Sequence, residues 1–443
     1  MYTFRKETDL NAFEQFVLAN GGWYLQSAKW ADVKQDWNHY FYTGFHGDTR
    51  VLTALVLERA LPGVGKIWYS PAGAVCDPQN ADLIKEYAAF MLAEMKKAGA
   101  TALFYDPCVA LRVNGEKQPA GVAAHRNLCA AGFRLNADAS RCLYKAPVQL
   151  LLRLKDENGN EVTPEKLLKS FEKGVRYSVR VGENRGLTER VYTADDIAKN
   201  PHILEEYAAV MRDTSDRNDF TERGADYVNH LLTVFGSEQM DIQLVYYDKQ
   251  KDKALEADRL KRKAELEAQL PTAPEKKLRG IKEEIESIDK QTGHFEERLR
   301  ETENEGDLIA VAGGLTVHYN GISSCLFGGA RDLLRNNLRA SHYFNFRRIC
   351  RSIEMKNDIH DLGYVLLKPT PADADGTLGE CVPREDFEGI SAFKKSFGAD
   401  YTEFIGEYVL VADKLRYLAY EKLFDTGKKV LHVVNKVVKK TRK

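Results

Sequence analysis

Five short stretches of the chain set charged side chains beside aromatic ones, and these are the residues with which the sequence could do chemistry. They are residues 24–34, 104–107, 176–182, 214–220 and 393–398. Trp30 precedes Lys34 by four residues in the first, and Phe393 precedes Lys394 in the last. Asp106 ends an apolar run that reads as a strand, and α/β proteins tend to place ligand-contacting groups at strand ends. Taken singly, each stretch is either a contact for a charged ligand or a solvated surface charge.

The common catalytic and metal-binding motifs are missing from the sequence. Residues 63–66 resemble the end of a Walker phosphate loop, but Ala60 occupies the position of the first glycine of that motif. There is no Gly-x-Ser-x-Gly elbow, His-Glu-x-x-His pair or Rossmann fingerprint. The seven cysteines include no Cys-x-x-Cys pair, which disfavours a zinc site or a disulfide framework. We therefore expect no metal ion and no cofactor.

Composition limits the class of protein. A formal net charge of −1 over 443 residues excludes a globally basic nucleic-acid binder, so any polyanion must be met by a local patch. With 44% hydrophobic residues the chain is long enough for two or more domains with cores. No uncharged apolar run approaches the roughly 18 residues that cross a bilayer. We predict a cytoplasmic protein.

The elements that must position the charged residues alternate between strands and helices, which predicts an α/β fold. Residues 52–58, 66–69 and 102–106 are β-prone, and residues 82–98 have the pattern of an amphipathic helix. A second cycle begins with a strand at 150–155 and a helix at 164–180, for which Thr163 is the predicted N-cap. Further helices are expected at 201–212, 224–235 and 332–352, and a further strand at 363–367.

Residues 249–305 form a highly charged segment between two β-prone runs, 242–247 and 308–319. The pattern predicts an antiparallel coiled coil with a turn marked by Pro271 and Pro274. The predicted seam of the second arm is Leu278, Ile281, Ile285, Ile288, Thr292, Phe295 and Leu299, and that of the first is Ala257, Leu260 and Ala264. The hairpin is then either a projecting arm for a substrate or a charged spacer or dimer contact.

In order along the chain, these stretches resemble the Fem family of peptidoglycan-branching aminoacyltransferases, which includes the FemA, FemX and MurM types. The matching segments are Leu-Gln-Ser-x-x-Trp-x-x-Val-Lys at 25–34, Tyr-Ser-Pro-Ala-Gly at 69–73, Lys-x-x-Arg-Tyr at 173–177, Arg-Asn-Asp-Phe at 217–220, Gly-Gly-Leu at 313–315, and residues 393–407. The hairpin at 249–305 matches too, since members of the FemA and MurM types carry a coiled-coil arm at this point. The resemblance covers nearly the whole chain.

The resemblance implies two acetyltransferase-like (GNAT) domains with an inserted antiparallel coiled-coil arm. We place the first at 1–147, the second at 148–406 with the insertion at 249–305, and a C-terminal segment at 407–443 that packs on the first and ends in a basic tail. It also implies an aminoacyl-tRNA donor, no acetyl-CoA, and a stem-peptide amine as acceptor. Lipid II is favoured over UDP-MurNAc-pentapeptide. The amino acid transferred and the oligomeric state stay open.

Residue by residue, the resemblance assigns Lys34 to the phosphates of the acceptor, and we place Trp30 of the same motif beside it. Arg217 is implied to bind the acceptor phosphates together with Lys34, with Arg212 as the alternative. Asp106 lies in the same cleft in the family. Lys394, beside Phe393, is implied near the tRNA end and the negative charge that develops in the reaction.

The reaction that the resemblance implies is attack of an amine on the ester that joins an amino acid to tRNA. An ε-amine with a pKa of about 10.4 is mostly protonated at pH 7, so Asp106 is expected to orient or deprotonate it, or else to serve only as a structural ion pair. A cation near the tetrahedral intermediate stabilises its negative charge, and Lys394 is the candidate.

Two surfaces could meet polyanions. Any contact of the arm with tRNA is expected at Arg259, Lys261, Arg262 and Lys263, because the charges of the arm are otherwise close to balanced. Residues 427–443 form a basic amphipathic pattern, which is either a peripheral contact with the inner membrane face or a docked terminal helix. The rival functions are an acyl-CoA-dependent N-acyltransferase and a non-enzymatic coiled-coil interaction protein.

Overall fold

The computed structural model describes residues 1–136, 138–142, 146–218 and 223–423. The strands are β1 (Tyr2–Lys6), β2 (Asn38–His46), β3 (Thr49–Leu61), β4 (Gly65–Ser70), β5 (Val75–Cys76), β6 (Ala100–Tyr105), β7 (Ala110–Val113), β8 (Glu116–Lys117), β9 (Arg134–Leu135), β10 (Val148–Arg153), β11 (Leu187–Tyr192), β12 (Met240–Asp248), β13 (Leu308–Tyr319), β14 (Ile322–Ala330), β15 (Ile359–Asp361), β16 (Asp400–Phe404) and β17 (Tyr408–Val411).

The helices are α1 (Leu10–Ala19), α2 (Ala28–Val33), α3 (Ala81–Ala98), α4 (Pro119–Ala130), α5 (Pro164–Ser170), α6 (Lys173–Glu183), α7 (Ala194–Lys199), α8 (His202–Asn218), α9 (Ala225–Phe235), α10 (Lys249–Gln269), α11 (Glu275–Glu301), α12 (Arg335–Leu338), α13 (Ala340–Glu354) and α14 (Glu385–Lys395), and residues 414–423 are also helical. The fold is therefore mixed α/β, as predicted. No helix among the described residues is both long enough and apolar enough to cross a membrane.

The chain folds into two units. Among the described residues, the first contains those in 1–151, 364–393 and 400–423, and the second contains those in 152–363 and 394–399. These limits differ from the predicted domains, which assign residues 364–393 and 400–406 to the second domain. The reason is that β16 pairs with β10 and β7, so the chain returns to the first unit after completing the second. Residues 424–443, with the predicted basic tail, lie outside the described residues.

The first unit is built on a twisted sheet with the order β1-β2-β3-β4-β6-β17-β9, in which β4 and β6 are parallel. The helix α3 packs on β6 and buries Tyr87 and Met91. Its N-cap Asn80 accepts a hydrogen bond from the Leu83 N–H at 3.1 Å, which satisfies a free donor of the first turn. The parallel pair sets Asp106 immediately after the end of β6.

The second unit contains the antiparallel run β11-β12-β13-β14, to which β15 adds in parallel. The central strands β12 and β13 are buried along nearly their whole length. They are the two strands predicted on either side of the charged hairpin, and their antiparallel pairing confirms that the hairpin replaces their turn.

The hairpin consists of α10 and α11, which pack against each other along antiparallel axes. The pairs that fix the register are Asp252–Arg298, Glu256–Thr292, Arg262–Glu284 and Lys263–Asp289. Toward the tip, Leu266, Ile281 and Ile288 form a buried apolar cluster with Leu270, Ala273 and Ile285 against it. The two helices and their turn agree with the sequence, while the coiled-coil classification of the pair stays a prediction.

The predicted seam of the first arm is wrong. Ala257, Leu260 and Ala264 are exposed, and the side of α10 that faces α11 carries Asp252, Glu256, Lys263, Leu266 and Leu270. These positions share one helical face, but three of the five are charged, so the search for apolar residues selected a neighbouring face.

Three other predicted elements differ from the structure. The helix expected at 164–180 is divided into α5 and α6, because Phe171 adopts an extended conformation and buries its ring against Phe346 and Phe397. The helix expected at 332–352 is divided by Arg339, which has a φ of +57°. The strand expected at 363–367 makes only a single bridge, between Leu367 and Pro383.

Candidate active site

Lys394 lies near the end of α14 and is the best-supported catalytic candidate of the second unit. A methyl group added to Gly363 would lie 3.4 Å from its Nζ atom and 3.5 Å from the carbonyl oxygen of Cys325. Burial is the main cause that lowers the pKa of Lys394, to about 8, while the charge of Asp361 acts against it. The side chain is therefore about nine-tenths protonated at pH 7 and half neutral near pH 8.

A buried polar cluster surrounds this ammonium group. Asp361 is 3% exposed and accepts a hydrogen bond from the Gly363 N–H at 2.8 Å. The Cys325 sulfur lies 3.4 Å from Nε2 of His360, whose Nδ1 lies 2.7 Å from the Ser352 hydroxyl. Burial holds the pKa of His360 well below its usual value, so His360 is neutral at physiological pH.

Arg348 is the second cation of this cluster and is fixed by the sheet. Its Nε donates to the Thr316 hydroxyl at 2.7 Å, and its guanidinium also donates to the carbonyl oxygens of Leu315 and Phe327. Its charge contributes to the lowered pKa of Lys394. The cluster can therefore hold a lysine with reduced proton affinity beside a carboxylate, an arrangement suited to stabilising negative charge.

Asp106 is positioned in the first unit by the loop that follows β4. Its carboxylate accepts hydrogen bonds from the Tyr69 hydroxyl at 2.9 Å and from the Ala72 N–H at 2.6 Å. Asp106 is 5% exposed, and Ala72 has the left-handed φ of +56°. The two hydrogen bonds fix the direction of the carboxylate.

Lys34 follows the last turn of α2, and its ammonium lies 4.8 Å from the ring centroid of Trp30. The spacing of four residues places the two side chains on one face, as the sequence predicts. Trp30 itself is 8% exposed. The indole contacts the cation through its π face.

Arg217 connects α8 to the end of β14. Its guanidinium donates to the Asp332 carboxylate at 2.5 Å and to the Ala330 carbonyl oxygen at 3.3 Å. The alternative, Arg212, is exposed on the same helix. The assignment of either arginine to the acceptor phosphates stays a prediction. Because Arg217 already forms an ion pair with Asp332, the structure favours Arg212 over Arg217.

The predicted tRNA cluster of the arm divides into a buried part and an exposed part. Arg259 contacts Glu256 at 2.7 Å and donates to the Asn184 carbonyl oxygen at 3.0 Å, so it belongs to the root of the arm. Arg262 and Lys263 are exposed or half-buried and pair with carboxylates of α11. Lys261 is exposed and is therefore the most accessible cation of the four.

Sequence reasoning did not identify the neighbours of Lys394. Asp361, Cys325 and Arg348 lie 33, 69 and 46 residues before Lys394 in the chain, so no local spacing connects them. Tyr69 lies in a segment that was singled out for the resemblance, but its hydrogen bond to Asp106 depends on the parallel pairing of β4 and β6. Among the described residues, no group of three or more His, Cys, Asp or Glu side chains could hold a metal ion.

Comparison with known proteins gives consistent matches over nearly the whole chain. A lipid II:glycine glycyltransferase of Staphylococcus epidermidis is 24% identical over 413 residues, which cover 90% of each protein. One from Staphylococcus aureus is 23% identical over 433 residues, which cover 93% of each. The crystal structure of FemX superposes with a TM-score of 0.71 at 20% identity, over 95% of this chain and 99% of that one.

The FemX superposition establishes a shared fold. A family model described as the FemAB family matches residues 8–424, which is nearly the full length. This chain is a member of the FemAB family.

Proposed function

We propose that this protein is an aminoacyltransferase that moves an amino acid from aminoacyl-tRNA to the stem-peptide amine of lipid II, and so builds an interpeptide bridge. The observation that carries the proposal is the FemAB match over residues 8–424, together with relatives of the same length that are named lipid II:glycine glycyltransferases. The protein is a transferase on this basis. Those names favour lipid II over UDP-MurNAc-pentapeptide as the acceptor, on the cytoplasmic side of the membrane.

The proposed chemistry is aminolysis of an ester. The acceptor nitrogen forms a bond to the ester carbonyl carbon, the bond to the ribose oxygen breaks, and the proton lost by the amine balances the one gained by the ribose hydroxyl. Negative charge develops on the carbonyl oxygen in the tetrahedral intermediate, and a preorganised cation in a partly dry site stabilises it by several kcal/mol. Lys394 supplies that cation.

Burial makes Lys394 suited to this role at neutral pH. An ammonium group shielded from water acts on a developing charge more strongly than one on the surface, because less solvent screens the interaction. Asp361 balances part of the burial penalty and keeps the lysine mostly charged at pH 7. We therefore assign Asp361 to positioning Lys394 and not to direct contact with the substrate.

Asp106 orients the attacking amine in this proposal. Its carboxylate is fixed by Tyr69 and Ala72, and carboxylate oxygens accept more than one hydrogen bond each. Lys34 contacts the acceptor pyrophosphate as a point charge held by Trp30. We also propose that the protein consists of two GNAT-like domains with a coiled-coil arm. The superposition with FemX and the packing of α10 on α11 support this.

A transfer assay with defined donors and acceptors tests the proposal. The purified protein is incubated with tRNA charged with glycine, alanine or serine, and with either lipid II or UDP-MurNAc-pentapeptide, and the products are identified by mass spectrometry. We expect one residue added to lipid II. Parallel reactions with uncharged tRNA plus free amino acid, and with acetyl-CoA, should give no product. Product from acetyl-CoA alone, or none from any charged tRNA, would refute the proposal.

A further inference from the structure

A cavity of about 400 Å³ lies in the second unit beside the root of the arm, and neither the resemblance nor the proposed mechanism uses it. It is formed by α6, by the last turns of α11 and by the segment 332–339. Its volume is within the range of small-ligand sites, roughly 300–1,000 Å³. The lining residues that matter here are Tyr177, Arg185, His294, Glu301, Arg335 and Arg339.

Three arginines line this cavity: Arg185, Arg335 and Arg339. Arg185 donates to both oxygens of Asn337, and neither it nor Arg339 forms an ion pair with a carboxylate of the described residues. Burial is the main cause that lowers the pKa of Arg185; the charge of Arg298 acts in the same direction and that of Asp252 against it. An anion beside Arg185 and Arg339 would supply the carboxylate-like partner that both lack.

Two of the three carboxylates that line the cavity are already engaged. Asp332 pairs with Arg217 at 2.5 Å and with Arg335 at 3.6 Å. Glu297 accepts a hydrogen bond from the Asn337 amide at 3.0 Å. The third, Glu301, lies exposed on the last turn of α11. The three arginines of the lining equal its three carboxylates in number, but of these arginines only Arg335 is paired with a carboxylate among the described residues.

The segment that carries two of these arginines has an unusual backbone. Leu334 and Arg339, on either side of the short helix α12, have φ values of +58° and +57°. L-residues other than glycine and asparagine rarely adopt this conformation, and strained positions of this kind cluster at ligand-binding segments. The left-handed turn directs the chain so that Arg339 lies at the cavity instead of continuing the helix.

Tyr177 provides an aromatic surface at the same place. It belongs to the stretch 176–182, one of the five singled out in the sequence, and is 61% exposed at the cavity wall. An exposed tyrosine beside arginines is the pairing that binds nucleotides of single strands, since bases stack on the ring and guanidinium groups bind the phosphate.

We propose that this cavity binds a nucleotide of an RNA strand, with the phosphate held by Arg339 and Arg335 and the base stacked on Tyr177. The inference rests on the proposed function, because aminoacyl-tRNA supplies the RNA. It assigns the root of the arm, rather than its charged length, as a place where the RNA strand is bound outside the ester site at Lys394.

Equilibrium binding of an RNA minihelix that ends in the single-stranded CCA sequence tests the inference, with fluorescence anisotropy on the full-length protein over a salt series. Arg339→Ala should weaken binding about tenfold and reduce the salt dependence by about one released counterion, since one phosphate contact is lost. Tyr177→Leu should weaken binding about fivefold or more without changing the salt slope. Glu301→Gln should tighten binding, because it removes a repelling charge.

Arg126→Ala is the matched control, because Arg126 is an exposed arginine on α4 in the first unit. It should bind as the unmodified protein does. If Arg339→Ala and Tyr177→Leu also match that control within twofold, the cavity does not contact RNA. If AMP alone displaces the minihelix completely, the cavity takes a free nucleotide and the assignment to an RNA strand is overturned.

The same variants separate this inference from the proposed function. If the unmodified protein transfers an amino acid from charged tRNA and the cavity variants have an unchanged KM for tRNA, the inference fails and the function stands. If the unmodified protein transfers nothing from charged tRNA, the proposed function itself fails.

Discussion

Lys394 combines a half-buried position with a charge, and that combination is what makes it a candidate for catalysis. An exposed lysine has a pKa of about 10.4 and gains little from its neighbours. Here burial lowers the pKa to about 8, and Asp361 limits the fall. A group held in this way is still mostly cationic at pH 7, as a residue that stabilises transient negative charge needs to be.

Replacement of the two predicted lysines by methionine should have different kinetic effects. Lys394→Met removes a charge that acts mainly in the transition state, and we expect kcat to fall about 10²–10³-fold with a smaller change in the KM for the acceptor. Lys34→Met removes a charge-assisted contact present in the ground state, and we expect the KM for the acceptor to rise at least about tenfold with kcat nearly unchanged. Steady-state transfer kinetics with lipid II measure both, and the reverse pattern would exchange the two roles.

The pH dependence of transfer gives an independent check on Lys394. A charge that stabilises the transition state is present below the pKa of about 8 and is lost as the pH rises through it. Deprotonation of the acceptor amine raises kcat with pH in both proteins, so we expect the ratio of kcat in the unmodified protein to kcat in Lys394→Arg, whose guanidinium stays charged, to decline above pH 8. Single-turnover rates between pH 6 and 9, corrected for spontaneous ester hydrolysis, provide the measurement. A ratio that instead increases through pH 8 would make Lys394 a base.

Some contacts of the candidate site residues follow from local spacing in the sequence, and others depend on the tertiary fold. The contact of Lys34 with Trp30 follows from helical spacing and could be predicted. The pairing of Asp106 with Tyr69, and of Lys394 with Asp361, depends on which strands become neighbours, and local patterns contain no such information. Gly363 illustrates the limit: its φ of +83° and its closeness to Lys394 are invisible before the turn is built.

At the scale of elements, the hairpin root is held by a buried ion pair rather than by apolar residues. Arg298 and Asp252 are 1% and 0% exposed, and the guanidinium donates to both carboxylate oxygens, at 2.8 and 3.0 Å. The Tyr247 hydroxyl donates to the same carboxylate at 2.8 Å, and Asn337 accepts a hydrogen bond from Arg298 at 3.0 Å. This network connects both helices of the hairpin to β12 and to the segment 332–339. It fixes the direction in which the hairpin leaves the sheet.

Arg298→Met should destabilise the second unit by about 3–5 kcal/mol, because it leaves the Asp252 carboxylate buried without its cation. Urea unfolding gives the loss in unfolding free energy, and amide hydrogen exchange should show it at the hairpin root. Arg279→Met is the control: Arg279 pairs with Glu283 on the surface, with 88% of its side chain exposed, and should change stability by less than about 0.5 kcal/mol. A double variant, Arg298→Met with Asp252→Leu, should recover part of the loss. Equal stability of Arg298→Met and Arg279→Met would mean that the root is held by other contacts.

The same network explains the error in the first-arm seam. Periodicity analysis looks for apolar residues, but α10 turns Asp252, Glu256 and Lys263 toward its partner and exposes Leu260. The second arm was predicted well because its seam is apolar at Ile281 and Ile288. A charged seam can be predicted only when the partner charges are known, and these lie 26 to 46 residues further along the chain.

At the scale of the whole molecule, the question is whether the arm serves a substrate or a second copy of the chain. The ends of the hairpin lie next to each other, since the Lys249 N–H donates to the Asp307 carbonyl oxygen at 2.9 Å and β12 pairs with β13 as far as Asp248. The hairpin can therefore be shortened without disturbing the sheet, provided that the root with Arg298 and Asp252 stays intact.

We expect a variant that replaces residues 262–288 by a short glycine-rich turn to fold normally, because it keeps the Asp252–Arg298 and Glu256–Thr292 pairs and removes the apolar tip as a unit. If the arm serves tRNA, the KM for charged tRNA should rise about tenfold or more. The KM for lipid II and the number of chains per particle in solution should stay the same. Light scattering and transfer kinetics on one preparation give both quantities, and Lys261→Glu in the full-length arm shows how much of the change is due to charge. A loss of oligomers with unchanged transfer kinetics would instead identify the arm as a contact between copies. Because the root and its neighbouring cavity are retained, weak residual binding of the minihelix should persist and remain sensitive to Arg339→Ala.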